Sequence, residues 1–277
     1  MLKKLLLALC LLAPVAAEPV QVFSDKLTAE DPDTLQVDEK ELEFFFFHSR
    51  SFATPDEHQR TSEFLTGSFG YGIAEDLDFS VISSGNSLLD LFGRDPNLPG
   101  GIGTGPARGG GLTNLGVQFR WKFAEDKEED WALATVMGTS LRNNFQFAEE
   151  DLDVEGTGNF QSFDVSLVAR KNWGRLTSDV DVFYSVPLPT HNPGRFSQIG
   201  ANLALGYQLD DWIQPSIELN YLHVSPLSED YETLSGTAGF IIKPAENWTL
   251  FLGYQRTLAA RHADFYDTPL FGSSLHF

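Results

Sequence analysis

LFGSSLHF, residues 270–277, ends the chain on the aromatic residue Phe277. The stretch is amphipathic, since it mixes large apolar residues with serine and histidine over the length of one β-strand. Successive side chains of a strand point to opposite faces of a sheet, so one face suits an apolar environment and the other a polar one. The end of the chain therefore predicts a final β-strand, and the preceding sequence tests which kind of sheet this strand completes.

Most of the sequence after residue 40 alternates between apolar and polar or small residues. One face of the stretch 115–123 carries Leu115, Val117, Phe119, Trp121 and Phe123, and the stretches 199–209 and 248–255 repeat the pattern. Such segments of about ten to thirteen residues match tilted strands that cross a bilayer. The sequence predicts an all-β fold, a transmembrane antiparallel up-and-down barrel of about 12 strands. The predicted strands are 40–53, 62–74, 77–84, 112–123, 131–142, 160–171, 175–186, 198–209, 212–224, 232–242, 248–258 and 269–277.

The predicted connections mostly alternate between short and long. Short turns fall at 75–76, 124–130, 172–174, 210–211 and 243–247, whereas a Gly/Pro-rich stretch follows Ser84 and an acidic one spans 143–159. This asymmetry is typical of outer-membrane barrels, which have short periplasmic turns and longer outer loops. The alternative is a soluble β-sandwich, whose strands are usually shorter, about five or six residues.

The tryptophans give an independent indication of a membrane. All of them lie within about three residues of a predicted short turn, where a ring at the headgroup level of a bilayer belongs. The sequence therefore predicts a membrane-interface girdle made of Trp121, Trp131, Trp173, Trp212 and Trp248.

The charged residues of the predicted strands identify the inner face. An Arg or Lys facing lipid at the middle of the bilayer costs roughly 2–4 kcal/mol, so these side chains must face the lumen. The predicted lumen lining comprises Arg120, Lys122, Asp164, Arg170, Asp179, Asp181 and Glu218. Two interpretations stay open: salt bridges that hold a narrow barrel together, or opposed charges that orient a polar or aromatic solute in a pore.

The sequence before residue 40 divides into two parts. Residues 1–17 read as a cleaved signal peptide, with Lys3 and Lys4 before a short apolar run that contains the only cysteine, Cys10. Residues 18–39 have little periodicity and form either a periplasmic leader or a plug of the lumen, and residues 40–277 form the barrel. Two of the four consecutive phenylalanines at 44–47 face inward, against such a plug.

Composition and motifs exclude several function classes. A net charge of −20 opposes binding to nucleic acid. The chain has no G-x-S-x-G motif, and the adjacent His48 and Ser49 have the context of an ordinary strand end. The sequence predicts no enzyme activity, no cofactor, no metal site and no catalytic residue.

Three stretches resemble a known family. TAEDPDT at 28–34 with ELE at 41–43, GLTNLGVQF at 111–119, and 212–220 with 233–239 and 247–248 resemble the MetA-pathway-of-phenol-degradation family of outer-membrane proteins. The terminal strand with Phe277 likewise resembles the C-terminal signal that the barrel assembly machinery reads. These resemblances imply a transporter-like or porin-like barrel in the bacterial outer membrane.

Three functions remain open from the sequence. The first is a channel or transporter for a small, aromatic or hydrophobic solute, and the second is a non-conducting barrel whose long loops bind at the envelope surface. The third is a lipid-modifying enzyme, which requires a hydroxyl, an imidazole and an acid near one rim. The expected partners are outer-membrane lipid, the barrel assembly machinery and an unidentified solute.

Overall fold

The computed structural model describes residues 27 and 29 and the ranges 32–52, 61–86, 112–141, 162–187, 197–225, 230–261 and 265–277. The predicted signal peptide and most of the predicted long connections lie outside the described residues. Within the described ranges, no helix has the length and apolar character needed to cross a membrane.

Twelve β-strands form one closed barrel in which every strand is antiparallel to both of its neighbours. The strands are β1 (Lys40–Phe52), β2 (Thr61–Ala74), β3 (Leu77–Asn86), β4 (Leu112–Asp126), β5 (Trp131–Leu141), β6 (Ser162–Trp173), β7 (Leu176–Pro187), β8 (Ser197–Tyr207), β9 (Ile213–Ser225), β10 (Tyr231–Ala245), β11 (Trp248–Arg261) and β12 (Phe265–His276). Sequential strands are neighbours, and β1 closes the ring by pairing with β12. The predicted barrel of about 12 strands is confirmed, and closure leaves no unpaired sheet edge.

Alternation along β7 shows how the sequence divides the two faces. Val180 and Val182 point outward with 42% and 49% of their surface exposed, whereas Asp179 and Asp181 between them are 0% and 1% exposed. A shift of one residue would exchange these faces and place two carboxylates outside, so the charge pattern fixes the register. The outward faces of the other strands carry the same kind of large apolar residue, such as Phe119, Leu219 and Leu252.

Strand boundaries differ most from the prediction in the last hairpin. β12 begins at Phe265 rather than at residue 269, and β11 extends to Arg261 rather than to 258. Asp267 and Pro269 are poor strand formers, which hid the first half of β12 in the sequence. Pairing with the neighbouring strands overrides that local preference, because Asp267 is opposite Arg256 of β11 and Pro269 is opposite Tyr254.

Leu27 and Leu35 of the N-terminal leader are buried inside the barrel, whereas residues 36–38 are exposed. The chain reverses at Asp38, which has a φ of 67°, and the N–H of Asp38 donates to the carbonyl of Gly72 at 3.0 Å. From there the leader contacts β3, β4, β6 and β9 and brings Leu27 against β10–β12. The contacts of Leu27, Asp33 and Leu35 with the inner wall favour the second interpretation left open by the sequence, a leader that occupies the lumen.

Candidate functional site

The lumen contains an ionic centre built on Arg170 of β6. Its guanidinium Nε donates to the Asp179 carboxylate of β7 at 2.7 Å, and its Nη1 pairs with Asp33 of the leader. The side chains of Arg170 and Asp179 are 6% and 0% exposed. Because an unpaired buried charge is strongly destabilising, the two carboxylates and the guanidinium hold the leader and the wall together.

The charge of Arg170 governs the ionisation of the leader carboxylate. Burial opposes the charged form of Asp33, but the Arg170 guanidinium outweighs it, with smaller contributions from Lys122 and Arg120. The pKa of Asp33 is therefore lowered below the ordinary aspartate value of 3.8. The contact is an ion pair at neutral pH.

Arg120 and Asp78 hold the next part of the leader. Arg120 of β4 donates from Nη1 to the backbone carbonyl of Asp33 at 2.7 Å. The N–H of Leu35 donates to the Asp78 carboxylate of β3 at 3.2 Å. The backbone polar groups of the leader thus find partners on the barrel wall, as a segment buried in a lumen requires. A cavity of about 150 Å³ remains between Leu35 and the inner faces of β1–β4.

A chain of amide hydrogen bonds continues from β7 to β11. The side-chain nitrogen of Asn202 donates to Asp181 at 2.9 Å, and that of Asn220 donates to the oxygen of Asn202 at 3.0 Å. The oxygen of Asn220 then accepts from Thr237 at 3.2 Å and from Gln255 at 3.4 Å. We call Arg170, Asp179, Asp181, Asn202, Glu218 and Asn220 on β6–β9 the polar wall.

The inner faces of β10–β12 and β1 carry an apolar cluster. Phe45 and Phe47 of β1, Ile241 of β10, Phe251 of β11 and Leu270 of β12 cluster around Leu27 of the leader. The ring centroids of Phe45 and Phe251 are 5.0 Å apart, a tilted aromatic contact. We call these five barrel residues the apolar wall. Phe45 and Phe47 are the inward members of the phenylalanine run, whereas Phe44 points outward.

Glu218 connects the two walls through the leader. The N–H of Leu27 donates to Glu218 Oε1 at 2.7 Å, and Glu218 is 2% exposed. The side chain of the same leucine is buried against the apolar wall. One leader residue therefore contacts both walls.

The remaining predicted lining residues lie on the inner face at other levels. Lys122 is near the short-turn rim, with its Nζ 3.3 Å from Glu125 and 3.7 Å from Asp76. Asp164 of β6 is half-buried and lies on the long-loop side of Arg170. Among the predicted lining residues, Arg170 and Asp179 contact each other directly.

A second polar cluster joins the first and last strands of the barrel, β1 and β12. Ser274 donates to Glu41 at 2.6 Å, and the His276 ring nitrogens lie 3.1 Å from Glu39 and 3.3 Å from Ser274. The residue types are those of a hydrolytic triad, but the Ser274 proton goes to a carboxylate rather than to imidazole, and Ser274 is 1% exposed. Since a nucleophile needs access to its substrate and an adjacent base, the arrangement favours closure of the β1–β12 seam over catalysis.

Three of the predicted girdle residues, Trp131, Trp173 and Trp248, are end residues of β5, β6 and β11 next to short turns. Trp212 lies in the short turn before β9, and Trp121 lies five residues before the end of β4. Four of them are 40–52% exposed, namely Trp121, Trp173, Trp212 and Trp248, and Trp131 is half-buried. Phe277 is 61% exposed, and its backbone N–H and carbonyl both pair with Lys40 of β1 at 2.9 Å. Phe277 therefore forms the last backbone hydrogen-bonded pair between the chain end and β1, the strand that closes the ring.

Sequence reasoning missed several residues of this site. Asn202 and Gln255 carry no charge, and Leu27 and Leu35 belong to a stretch without periodicity. Asn220 shares the inner face with Glu218, two residues away on the same strand, and that spacing was the usable signal. In the part of the chain that the structure describes, no group of three or more His, Cys, Asp or Glu side chains has the geometry of a metal site.

Comparisons with known proteins identify the fold. No protein-family model matches the chain, and no curated protein sequence matches it either. Among solved structures, the chain is similar to the COG4313 outer membrane channel from Pseudomonas putida F1, with 15% identity over 91% of this chain and 100% of that one and a TM-score of 0.68.

Two further solved barrels are similar at lower scores. The NanC porin has 9% identity over 84% of this chain and 98% of its own, with a TM-score of 0.54. The β domain of the Bordetella autotransporter BrkA has 12% identity over 87% and 100%, with a TM-score of 0.51. At these identities the likeness is one of architecture, and it agrees with the closed ring of twelve strands. The chain has the fold of the outer-membrane β-barrels.

Proposed function

We propose that this protein is a channel of the bacterial outer membrane that passes a small solute, and that the leader segment within the lumen restricts the passage. The observation that carries the proposal is the polar wall. A polar solute needs charged and amide groups on the inner face to replace part of its water, and the polar wall provides a row of them across β6–β9. A ring of twelve strands lies between side-chain-filled barrels of about eight strands and open porins of about sixteen.

The location and assembly partners follow from the same proposal. The outward apolar side chains and the tryptophans at one rim suit outer-membrane lipid, and Phe277 suits recognition by the barrel assembly machinery. The signal peptide, residues 1–17, accounts for export. Membership of the MetA-pathway family remains a prediction that rests on the three resembling stretches.

The test is ion conductance in planar bilayers, with a leader variant that opens the lumen. Asp33→Arg places a cation against Arg170, Arg120 and Lys122 and expels this part of the leader. We expect small or rare steps from the wild type and larger, longer steps from Asp33→Arg. The matched control is Val37→Arg, which introduces the same charge at a leader residue that is 55% exposed.

Two outcomes contradict the proposal. Absence of conductance from both the wild type and Asp33→Arg, with folding verified by heat-modifiable migration on a gel, would favour the non-conducting barrel. Equal conductance of Asp33→Arg, Val37→Arg and the wild type would show that the leader does not restrict the passage.

The enzymatic alternative has one observation in its favour, the cluster of Ser274, His276, Glu39 and Glu41. Its test is hydrolysis of phospholipid or acyl ester by the folded protein, compared with Ser274→Ala. We expect no turnover from either protein. Turnover by the wild type that Ser274→Ala abolishes would replace the channel proposal.

A further inference from the structure

We infer that the outward face of β9–β12 carries a binding site for one lipid whose headgroup bears a phosphate, near the long-loop end of the barrel. Arg256 of β11 is the ligand of the phosphate, and a groove along β10 takes an acyl chain. The inference goes beyond the proposed channel function, because every contact it uses lies outside the lumen. It rests on the proposed membrane location and not on conductance.

The first step is the uneven distribution of charge over the outward face. Within the described ranges, the outward charged residues of β3–β8 lie at the short-turn rim, such as Lys171, which is opposite Trp131 in register. The strands β9–β12 instead carry charged residues in their long-loop halves, namely His223, Glu232, Arg256, Arg261 and Asp267. A charged sector on one side of the barrel favours a localised partner over uniform attraction to the surrounding headgroups.

The second step is the depth of Arg256. It lies two residues beyond Tyr254 on the outward face of β11, and its side chain is 62% exposed. It is eight residues from Trp248 of the predicted girdle, which corresponds to roughly 20 Å along the membrane normal at the usual strand tilt. The apolar band of such barrels is about 25 Å tall, so the guanidinium lies close to its outer border. The anions available to a cation at that depth are the phosphates of lipid headgroups.

The third step is the orientation of the guanidinium. Asp267 of β12 is the register partner of Arg256, and its Oδ1 lies 3.6 Å from Arg256 Nε. The hydroxyl of Tyr254 hydrogen-bonds to the same carboxylate, whose side chain is 14% exposed. A guanidinium has five N–H donors in a planar fork, so it can contact a carboxylate along one edge and a phosphate along another. Asp267 is therefore a positioning residue for the arginine.

The fourth step is the groove beside this arginine. Gly236 and Ala238 of β10 form its floor, and large outward residues of β9 and β11 stand opposite them in register, namely Leu219, Ile217, Arg256 and Tyr254. Phe240, 47% exposed, ends the groove toward the short-turn rim. Leu258 bounds its outer end, where a Cβ at Gly236 would lie 3.1 Å from Leu258 Cδ1. An acyl chain beside Ala238 gains apolar contact on two sides while its headgroup reaches Arg256.

Native mass spectrometry of the folded protein, released from detergent in the presence of added lipid, tests the site. The probes are dimyristoylphosphatidic acid and dimyristoylglycerol, which has the same chains without the phosphate. We expect one phosphatidic acid molecule to remain bound per protein, with roughly tenfold higher affinity than the diacylglycerol. Equal affinities, or a graded series of many bound lipids, would overturn the site. Neither measurement needs conductance.

The headgroup contact is tested by Arg256→Gln. We expect this variant to bind phosphatidic acid about tenfold more weakly and the diacylglycerol as the wild type does. The matched control is Arg175→Gln, which removes the same group at an exposed turn residue of the short-turn side and should keep the wild-type affinity. Equal losses from the two variants would reveal general charge attraction and overturn the site.

A double variant keeps the test valid if Arg256→Gln does not fold. Arg256→Gln with Asp267→Asn removes both charges, so that no carboxylate stands without its guanidinium, and the same tenfold loss is expected. Gel mobility of unheated samples verifies folding. A preference for phosphatidic acid that survives in the folded double variant would contradict the role of Arg256.

The groove is tested by Ala238→Leu, which fills it. We expect this variant to bind both lipids about threefold to fivefold more weakly, because the acyl chain loses its place. Ala201→Leu is the control, since it adds the same atoms to an outward alanine of β8 that is opposite Tyr221 and Val182. Equal binding by the two variants would remove the groove from the inferred site.

Discussion

The two walls of the lumen hold the same leader by different physics. On the polar wall the contact is ionic and directional, with Arg170 paired to Asp33 of the leader and to Asp179 of the barrel. On the apolar wall it is the packing of Leu27 among side chains from four strands. The ionic contact depends on pH and on exact geometry, whereas the packing depends on volume. The two walls are therefore expected to respond differently to substitution.

The two walls also differ in how they contribute to the stability of the barrel itself. Arg170 keeps a partner on the barrel even without the leader contact, because it pairs with Asp179 on the neighbouring strand at 2.7 Å. The apolar wall, by contrast, would expose several large side chains to the lumen if the leader departed. The polar groups thus stabilise the barrel whether or not the leader is in the lumen, whereas the apolar groups stabilise the state in which the leader occupies the lumen.

The largest effect is expected on the polar wall, from Arg170→Ala. The substitution leaves the fully buried Asp179 carboxylate without its guanidinium partner, and breaking a buried pair in this way destabilises by about 3–5 kcal/mol. Urea titration of the protein in micelles, followed by tryptophan fluorescence, measures the loss. The control is Arg175→Ala at an exposed turn residue, for which we expect a change within about 0.5 kcal/mol. Similar losses from both variants would contradict the role of the buried pair.

A smaller effect is expected from Phe251→Leu on the apolar wall. This change keeps an apolar side chain and removes part of its volume, so the expected destabilisation is about 1–1.5 kcal/mol. The same titration measures it, with Leu252→Ala on the outward face as the comparison, since Leu252 is 42% exposed and has no lumen contact to lose. A loss for Leu252→Ala as large as that for Phe251→Leu would show that the apolar wall is not a packed unit.

Two glycines sharpen the comparison further. A Cβ at Gly272 of β12, beside the apolar wall, would lie 2.4 Å from the Phe45 ring, so Gly272→Ala must displace that ring at an expected cost of about 1 kcal/mol. A Cβ at Gly116 on the inner face of β4 would meet only a carbonyl oxygen at 3.4 Å. We expect Gly116→Ala to leave the urea midpoint nearly unchanged. A reversed order of the two variants would contradict tight packing on one side and space on the other.

The sequence was sufficient to predict the barrel because each strand carries its own evidence. Alternation in β4, β8 and β11 is visible without any partner, and the aspartates of β7 fix its register. The lumen contents were harder to predict. Asp33 and Arg170 are separated by 137 residues, and nothing in the local sequence of the leader indicates that it contacts the wall.

The seam cluster was missed for a similar reason. Glu39 and Glu41 begin the barrel, and Ser274 and His276 end it, so only ring closure brings them together. Sequence alone weighed His48 and Ser49 as a hydroxyl–imidazole pair because they are adjacent in the chain. Adjacent residues of a strand point to opposite faces, whereas Ser274 and His276, two residues apart, share one.

The smallest expected effect on stability, and the most specific one on function, concerns Asp33. Its side chain is 43% exposed, so Asp33→Asn should destabilise the barrel by no more than about 1 kcal/mol. The substitution removes the charge that attaches the leader to Arg170 but leaves Leu27 in place. We therefore expect a longer open time in planar bilayers with a nearly unchanged urea midpoint.

The direction of the pH effect on the open time follows from the pKa of Asp33. The pKa of Asp33 is lower in the folded protein than its ordinary value of 3.8, so the ion pair contributes fully above that value and is lost as the pH falls through the folded pKa. The wild type should therefore approach the open time of Asp33→Asn only in the range below pH 3.8. Other carboxylates of the lumen titrate in both proteins, so the difference between the two pH profiles isolates Asp33. Parallel profiles across that range would show that the leader is held by the apolar wall alone.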